Sequence, residues 1–317
     1  MQVAQELPYT RLNFVERPVS EDFPIAPTLV VLAAGMGSRF GGDKQFTALG
    51  PGGETLMDYA IFDAARAGIR RVVLIVRPEA VGLVAGLQER YRRSVEVLPA
   101  VQKLADLPAG FIPPPGRTRP WGTAHAIRAV RHLVDHPFLV VNGDDFYGAA
   151  HYRALVEAGA SNPREWQLAG YPIADTLSPT GPVNRALCSV DARGYLTGLA
   201  EVRGIARAAD GTLHGGEPEQ EVPGNAIVSM NMWGLTPSIF SVIERTLAEF
   251  LARADLTRDE YYLPEAIAAA MALGQPVRVL PAGDDWCGVT FPEDAADVRR
   301  HLAALAEQGA YPVPLWP

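Results

Sequence analysis

The apolar residues of the chain fall into short continuous runs separated by polar and glycine-rich segments. Three of these runs, residues 28–34, 71–76 and 138–141, are dominated by β-branched and aliphatic residues. Such runs are typical of strands buried on both faces of a parallel sheet, because neither face then needs polar side chains. They predict three strands of one sheet, and residues 94–98 predict a shorter fourth strand.

Apolar residues at helical spacing lie between and after these strands. Residues 56–67 follow Thr55, a favourable helix-capping residue, and Gly68 ends the pattern. Further helices are predicted over residues 122–134, 237–252, 264–273 and 292–308. From residue 171 onward the predicted strands are shorter and broken by glycine and proline, which favours mixed or antiparallel pairing. The predicted fold class is α/β, with a doubly wound, mostly parallel sheet and a mixed subregion in the second half.

The pattern also predicts how the chain is organised. Residues 1–27 are rich in proline and lack sustained periodicity, so we expect an N-terminal extension. Residues 28–291 are predicted to form one domain, and residues 292–317 a closing helix and tail. The apolar run at 29–34 is far shorter than the roughly 20 residues of a membrane span, and no apolar signal-peptide core precedes it.

The composition of the chain limits which ligands and which cellular compartment we expect. With 317 residues, 48% of them hydrophobic, the chain has enough apolar material for a substantial core. Its net charge of -8 repels polyanions, which argues against nucleic acids and anionic membranes and favours a small or cationic ligand. The two cysteines, Cys188 and Cys287, are too few for a disulfide framework or a four-cysteine metal site. We expect reduced thiols and a cytoplasmic location.

A glycine-rich stretch, residues 35–44, follows the first predicted strand. Its backbone N–H groups can form a concave binding site for phosphate. The dinucleotide-binding pattern fails because Phe40 replaces a glycine, and the Walker A pattern fails because Asp43 replaces the lysine. Arg39 offers a bidentate fork and Lys44 a point charge, and both suit a triphosphate.

A second informative segment is residues 121–126, at a predicted loop-to-helix junction. The backbone N–H groups of Gly122 and Thr123 at a helix start favour acceptors such as phosphate oxygens or base carbonyls. Thr123 is equally suited to cap the helix. Gln102, upstream, carries both a donor and an acceptor, which the edge of a nucleobase requires.

Two acidic residues follow the predicted strand 138–141. Asp144 and Asp145 are therefore expected at the carboxyl edge of the sheet, where open α/β sheets bind ligands. Carboxylate oxygens, together with water and phosphate oxygens, suit Mg²⁺. The sequence thus predicts a magnesium site at these two aspartates.

These three segments resemble the sugar-1-phosphate nucleotidyltransferases, also called nucleotide-sugar pyrophosphorylases. The shared motifs are L-A-A-G-M-G-S-R at residues 32–39, the following Lys44, and Gly143-Asp144. Residues 121–126, W-G-T-A-H-A, look like a motif of the uridylyltransferases that act on N-acetylglucosamine 1-phosphate. The resemblance covers residues 28 to about 150 and implies a Rossmann-like nucleotidyltransferase domain whose mixed subregion lies on the substrate side.

Beyond residue 150 the resemblance is thinner. Glu201 and Asn231 lie in segments similar to the family's sugar-binding strands, and Asn184 and Arg185 are expected on the acceptor side. The family often carries a metal-binding aspartate in a W-x-D-x-G motif, but this chain has Gly288 at that position. Two aspartates lie just upstream, and Asp285 is our candidate for the second metal ligand.

The resemblance implies a Mg²⁺-dependent enzyme that joins a nucleoside triphosphate, UTP or dTTP being favoured, to a sugar 1-phosphate and releases pyrophosphate. Arg39, Lys44 and Asp144 are the expected catalytic residues. The expected nucleotide-binding residues are Ala33, Ala34, Gly35, Gly37, Ser38, Gln102, Gly122 and Thr123. A homo-oligomer is plausible from the same resemblance.

Two alternatives stay open at this point. One is a CTP-dependent cytidylyltransferase that acts on phosphocholine or another phosphomonoester. The other is a non-catalytic, nucleotide-sugar-binding regulatory protein, which the glycine at position 288 keeps in consideration.

Overall fold

The computed structural model describes residues 26–35, 47–283, 286–289 and 291–316. Within these residues, eleven strands form one sheet, in the order β10-β9-β8-β7-β11-β4-β1-β2-β3, with β6 paired to β11 and β12 paired to β6. Strands β5 and β13 form a separate two-stranded ribbon. The strands are β1 (Thr28–Leu32), β2 (Arg71–Val76), β3 (Glu96–Val101), β4 (Phe138–Asn142), β5 (Asp145–Phe146), β6 (Trp166–Pro172), β7 (Val183–Val190), β8 (Leu196–Arg207), β9 (Leu213–Gly215), β10 (Gln220–Val222), β11 (Ile227–Leu235), β12 (Val277–Pro281) and β13 (Cys287–Gly288).

The first half of the sheet is parallel. Strand β1 lies between β2 and β4 and pairs in parallel with both, and β2 pairs in parallel with β3. All five residues of β1 are buried, which explains its continuous apolar run. Its side chains alternate between two cores, with Leu29 and Val31 facing one and Val30 and Leu32 facing the other. The strands predicted at 28–34, 71–76 and 138–141 are confirmed.

The second half of the sheet is mixed. Strand β11 pairs antiparallel with β4, β6 and β7, and β7 continues antiparallel into β8. Strand β12 returns in parallel beside β6. The predicted fold class, an α/β sheet with a mixed subregion, is confirmed.

Helices cover both faces of the sheet. They are α1 (Leu56–Arg66), α2 (Val81–Tyr91), α3 (Thr123–Arg128), α4 (Ala149–Ser161), α5 (Ser238–Arg253), α6 (Leu263–Ala272) and α7 (Asp294–Glu307). Helices α1, α2 and α4 pack on one face, and α3, α5 and α6 pack on the other. In the part of the chain that the structure describes, no helix is long and apolar enough to cross a membrane.

The local sequence explains where helix α1 begins. It also explains why the apolar pattern did not predict two of the helices. Thr55 caps α1 and forms a reciprocal capping box with Asp58, as the prediction of that helix required. Helix α3 ends at Arg128, six residues before the predicted end. Helices α2 and α4 were not predicted, because each buries only three side chains along its length and the apolar pattern is correspondingly weak.

A third, smaller core joins the end of the chain to the rest. Residues of α7 and of the tail that follows pack with Tyr59, Phe62 and Phe146. Tyr311 lies edge-on to Tyr59, with ring centroids 5.1 Å apart, and donates a 2.8 Å hydrogen bond to the buried Asp63. The predicted division into an extension, a domain and a closing segment stays a prediction.

Candidate active site

The carboxyl ends of β1 and β4 meet at one edge of the sheet. The backbone N–H of Ala33 donates to Ile75 O at 2.9 Å, and that of Gly143 donates to Leu32 O at 2.9 Å. A Cβ on Gly143 would lie 3.2 Å from Leu32 O, a tight contact that glycine avoids where β4 approaches β1. Asp144, the next residue, is therefore fixed beside the start of the glycine-rich stretch.

Several predicted residues lie outside the described part of the chain. They are Gly37, Ser38, Arg39 and Lys44 in the glycine-rich stretch, and Asp285 near the end. Ala33 and Ala34 are buried at the end of β1, and Gly35 is exposed there.

The segment that resumes after the glycine-rich stretch is anchored by Glu54. This side chain is 6% exposed, and its carboxylate accepts hydrogen bonds from Gly52 N at 2.9 Å and from Leu315 N at 3.2 Å. Its backbone carbonyl accepts from Leu49 N and Gly50 N, both at 2.8 Å. The C-terminal tail thus holds the segment that leads back from the glycine-rich stretch.

The two adjacent aspartates have different surroundings. Asp145 is 7% exposed, and its Oδ2 accepts from Asn142 Nδ2 at 2.8 Å and from the Tyr147 hydroxyl at 3.3 Å. Burial, reinforced by the Asp145 charge, raises the pKa of Tyr147 well above its usual value, so that hydroxyl stays a donor. Asp144 is half-buried. Asp145 therefore supports the turn, and Asp144 is the more accessible carboxylate for a cation.

Gly288 lies directly beside these aspartates. Strand β13 pairs antiparallel with β5, and Gly288 is the register partner of Asp145. A Cβ at position 288 would lie 2.3 Å from Asp145 Oδ1 and 2.8 Å from Trp286 Cζ2. No side chain can be accommodated there without rearrangement, which gives a physical reason for the glycine.

The donor set fits a hard cation only in part. An accessible carboxylate at a sheet edge is a suitable Mg²⁺ ligand, because Mg²⁺ is commonly held by one or two carboxylates plus substrate phosphates. Within the described ranges, no group of three or more histidine, cysteine, aspartate or glutamate side chains is placed to hold a metal ion. A metal site at Asp144 would therefore need further oxygen ligands, such as those of the substrate phosphates.

A cavity of about 190 Å³ opens next to the end of β1. It brings together Ala34, Gly35, Gln102, Gly122 and Thr123, all predicted as nucleotide-binding residues. The remaining lining residues are Leu32, Arg119, Pro120, Ala126 and Glu260.

The wall formed by Gly122 is shaped by its close approach to the segment before α6. Gly122 has φ 96°, and a Cβ there would lie 2.4 Å from Tyr261 O. The hydroxyl of Thr123 accepts from Leu263 N at 2.8 Å. Thr123 thus caps the start of α6 and not its own helix, where Gly122 is the capping residue.

Arg117 also shapes this cavity, and sequence reasoning missed it. Its buried guanidinium lies 3.6 Å from the ring centroid of Trp121. It donates to four backbone carbonyls, those of Arg119, Pro120, Leu256 and Asp259. Such a cation satisfies carbonyls of two loops at once and holds them together. An isolated arginine in a proline-rich loop carries no sequence signal for this role.

Gln102 and His125 form a buried hydrogen-bond chain behind the cavity. Gln102 Nε2 donates to Gly122 O at 3.1 Å and lies 3.0 Å from His125 Nδ1. His125 Nε2 lies 2.8 Å from Asp106 O. Burial lowers the pKa of His125 to about 4, so the ring is neutral near pH 7.

The predicted acceptor residues fall in three places. Asn184 and Glu201 line a larger groove of about 1080 Å³, which shares Arg119 and Glu260 with the cavity at the end of β1. The Nε of Arg119 lies 3.2 Å from Glu260 Oε1, so this ion pair stands between the two spaces.

Arg185 and Asn231 lie elsewhere. Arg185 is buried, and its guanidinium donates to the hydroxyl and carbonyl of Thr176. Asn231 lies in a bulge of β11 with φ 59°, and its Nδ2 is 3.3 Å from Asn142 Oδ1. Because Asn142 also bonds Asp145, Asn231 lies near the aspartates and not in the groove.

The first half of the chain is similar to a known protein family. Residues 29–172 match the family model described as the MobA-like NTP transferase domain. That range contains β1 to β6, the cavity wall at Gly122 and both aspartates. The family resemblance inferred from the sequence is confirmed over this part of the chain.

The curated relatives include longer proteins. The chain is 26% identical over 303 residues to the bifunctional protein GlmU of Corynebacterium glutamicum (strain R), covering 92% of this chain and 54% of that protein. It is 27% identical over 294 residues to GlmU of Acidovorax ebreus (strain TPSY), covering 89% of this chain and 53% of that protein. The chain thus spans about half the length of these relatives.

Solved structures share the fold. The inositol-1-phosphate CTP transferase from T. maritima superposes with a TM-score of 0.63 at 18% identity, covering 89% of this chain and 97% of the other. A candidate glucose-1-phosphate thymidylyltransferase from Bacillus anthracis, in complex with a sucrose, gives a TM-score of 0.61 at 14% identity, covering 87% and 95%.

Proposed function

We propose that the chain is a Mg²⁺-dependent nucleotidyltransferase that joins a nucleoside triphosphate to a sugar 1-phosphate and releases pyrophosphate. The observation that carries the proposal is the meeting of three features at one sheet edge. The cavity lined by the predicted nucleotide residues and the start of the glycine-rich stretch lie at the end of β1, and β4, which pairs with β1, leads to the accessible carboxylate of Asp144 at the same edge.

The proposed reaction requires the protein mainly to position the two substrates and to supply positive charge. A phosphomonoester is largely ionised at pH 7, so its oxygen can attack the α-phosphorus without a general base, and pyrophosphate leaves in line. The protein must hold two anions together and stabilise the charge that develops during transfer. Arg39 is proposed to bind the leaving pyrophosphate and Lys44 the reacting phosphates.

Asp144 is proposed to hold the Mg²⁺, with Asp285 as the second ligand in the place of the absent side chain at Gly288. When bound, Mg²⁺ supplies positive charge to the phosphate oxygens. Asp145, through its bonds to Asn142 and Tyr147, keeps the turn that carries Asp144 in place.

The pair of substrates is proposed from resemblance and geometry together. Residues 121–126 favour UTP or dTTP, and the groove beside the nucleotide cavity, with Asn184 and Glu201 on its walls, is proposed for the sugar. A CTP-dependent reaction with phosphocholine or another phosphomonoester is the alternative with the same chemistry, and the T. maritima neighbour is described as a CTP transferase. A cytoplasmic location and self-association stay predictions.

A screen of nucleotides against phosphomonoesters tests the proposal. UTP, dTTP, CTP, ATP and GTP are each mixed with glucose 1-phosphate, N-acetylglucosamine 1-phosphate, inositol 1-phosphate and phosphocholine, and pyrophosphate is measured with and without Mg²⁺. We expect release that needs both substrates and Mg²⁺ and that prefers a sugar 1-phosphate. Release with phosphocholine and CTP alone would support the alternative.

A non-catalytic binding protein is the second candidate, because Gly288 leaves β13 without a carboxylate next to Asp145. Calorimetry separates the two. Nucleotide binding without pyrophosphate release under any pairing, with Mg²⁺ present, would favour the binding protein.

A further inference from the structure

His151 is a buried histidine that the proposed reaction does not use. It lies in the first turn of α4 and is 7% exposed. Its Nδ1 lies 2.5 Å from Tyr147 O, and its Nε2 lies 2.8 Å from Gly283 N. Both partners are backbone atoms, and the part that a backbone atom takes in a hydrogen bond is fixed by its chemistry.

The two partners together require one tautomer of the ring. Tyr147 O can only accept a hydrogen bond, so Nδ1 carries the ring proton and donates it. The N–H of Gly283 can only donate, so Nε2 accepts through its lone pair. One nitrogen of His151 therefore faces the chain just after the two aspartates, and the other faces a segment 132 residues further along.

The first partner closes the turn that carries Asp144. Tyr147 follows Asp144 by three residues. The Tyr147 hydroxyl accepts from Asn142 N at 3.0 Å and lies 2.7 Å from Met230 O. Tyr147 is thus held by β4 and β11 at its hydroxyl and by His151 at its carbonyl, so the end of the turn is fixed relative to the sheet.

The second partner begins a short segment that contains Asp285. Gly283 is bonded to His151, and four residues later Cys287 pairs with Phe146 in the ribbon of β5 and β13. The chain is therefore attached at two points to the residues around the turn that His151 closes. An extended chain covers at most about 3.6 Å per residue, so two attachments this close in sequence leave little slack between them.

We infer that His151 is a positioning residue for the proposed metal site, because it ties the turn that carries Asp144 to the segment that contains Asp285. The inference rests on the proposed function, in which these two carboxylates hold the Mg²⁺. His151 acts through two backbone atoms and is not itself proposed as a ligand. Without its bond to the ring, Gly283 is released from the turn, and the two carboxylates must be brought together when the cation binds, which weakens binding.

Two amide variants test the tie by Mn²⁺ binding, measured from the electron paramagnetic resonance signal of the free ion. The amide of glutamine reaches the position of Nε2, so His151→Gln can still accept from Gly283 N and should bind Mn²⁺ like the wild type. The amide of asparagine reaches only the position of Nδ1, so His151→Asn keeps a donor for Tyr147 O and loses the tie. We expect its dissociation constant to rise roughly 10-fold. Equal dissociation constants in the two folded variants would overturn the inference.

The Mg²⁺ dependence of pyrophosphate release gives a second readout. A positioning role predicts that His151→Asn needs roughly 10-fold more Mg²⁺ for half-maximal release and regains the wild-type kcat when Mg²⁺ is saturating. A merely structural role predicts a lower kcat at every Mg²⁺ concentration. A wild-type Mg²⁺ requirement in His151→Asn would contradict the positioning role.

A pair of substitutions at Gly283 keeps the test decisive if His151→Asn does not fold, as its thermal transition would show. Gly283→Pro removes the N–H that His151 accepts from, whereas Gly283→Ala keeps it. A Cβ at this position meets no atom of the described residues within 4 Å. The proline variant should bind Mn²⁺ roughly 10-fold more weakly than the wild type, and the alanine variant should match the wild type. Equal binding by both variants would refute the tie.

Metal binding and turnover distinguish this inference from the proposed function. A wild-type protein that binds Mn²⁺ more tightly than His151→Asn but never releases pyrophosphate supports the inference and contradicts the proposed transfer. Mg²⁺-dependent release with the same Mg²⁺ requirement in both proteins contradicts the inference and leaves the transfer in place. A wild type that neither binds Mn²⁺ nor needs a divalent cation for release contradicts the metal site and the inference with it.

Discussion

The cavity proposed for the nucleotide and the neighbouring groove are built by different means. The cavity is small, about 190 Å³, and its walls are backbone carbonyls, glycines and buried side chains bonded to one another. The groove is about 1080 Å³ and is lined largely by charged side chains such as Glu201, Arg203 and Glu265. Under the proposed function, recognition in the cavity depends on the rigid fold, whereas recognition in the groove depends on solvated side chains that can change without disturbing the sheet.

A substitution at Asp144, at the end of β4, should give the largest effect on turnover. Asp144→Asn removes the carboxylate charge proposed to hold the cation, and kcat should fall about 100- to 1000-fold, which is roughly 3–4 kcal/mol of barrier. Asp135→Asn is the matched control, because Asp135 is an exposed aspartate just before the opposite end of β4. If both variants kept wild-type pyrophosphate release, Asp144 would have no catalytic role.

A substitution at Gly122 is expected to disturb the wall of the cavity. An alanine Cβ would lie 2.4 Å from Tyr261 O on a backbone at φ 96°, so Gly122→Ala should lose roughly 2–4 kcal/mol of unfolding free energy and weaken nucleotide binding. Gly110→Ala has nearly the same φ, 92°, with open space at the Cβ, and should lose about 1 kcal/mol from backbone strain alone. Urea denaturation measures both, and equal losses would refute the close-approach argument.

The neutral state of His125 predicts how stability depends on pH. Its pKa is about 4 in the folded protein and about 6.5 when the chain is unfolded, so the unfolded state binds more protons between these values. This contribution to stability is complete above pH 6.5 and falls as the pH drops from 6.5 to 4, by up to roughly 3 kcal/mol.

Urea denaturation at pH 7, 5.5 and 4.5 measures this change. His125→Gln, whose amide offers the same donor and acceptor without titrating, should show a shallower loss over that range. His214→Gln, at a half-buried position on β9, is the control and should follow the wild type. If the free energy of unfolding fell equally with pH in all three proteins, the claim that His125 is buried and neutral in the folded state would be wrong.

A substitution in the groove should have the smallest effect on the kinetics of the enzyme. Glu201→Gln keeps the shape of the wall and removes one charge, so the KM for the acceptor should rise about 5- to 10-fold while the KM for the nucleotide stays unchanged. Glu219→Gln, exposed on the turn between β9 and β10, should change neither. A rise in the nucleotide KM alone would mean that the groove is not the acceptor site.

The same contrast explains what could be predicted from the sequence. Buried parallel strands have a strong signal, because every residue of β1 faces a core, and the position of Asp144 after β4 follows directly. Gly122 and Gln102 could be named as nucleotide-binding candidates from their motifs. Their separation of 20 residues along the chain gave no indication that Gln102 bonds to Gly122 O.

Other features depend on contacts between distant segments. Arg117 joins loops 139 residues or more apart in sequence, and Gly288 is required by the side chain of Asp145 on another strand. No local pattern encodes such pairs. Asn231 was placed with the acceptor residues by resemblance, and the bulge in β11 brings it near the aspartates, so its role toward the acceptor stays a prediction.

The most direct test of the account is to identify the product formed from the preferred nucleotide and phosphomonoester. Mass spectrometry of the wild-type reaction should show one compound that contains the nucleoside monophosphate unit joined to the intact acceptor phosphate, formed in a 1:1 ratio with pyrophosphate. Formation of free nucleoside monophosphate or diphosphate, or the absence of any joined product with every pair of substrates, would contradict the proposed transfer.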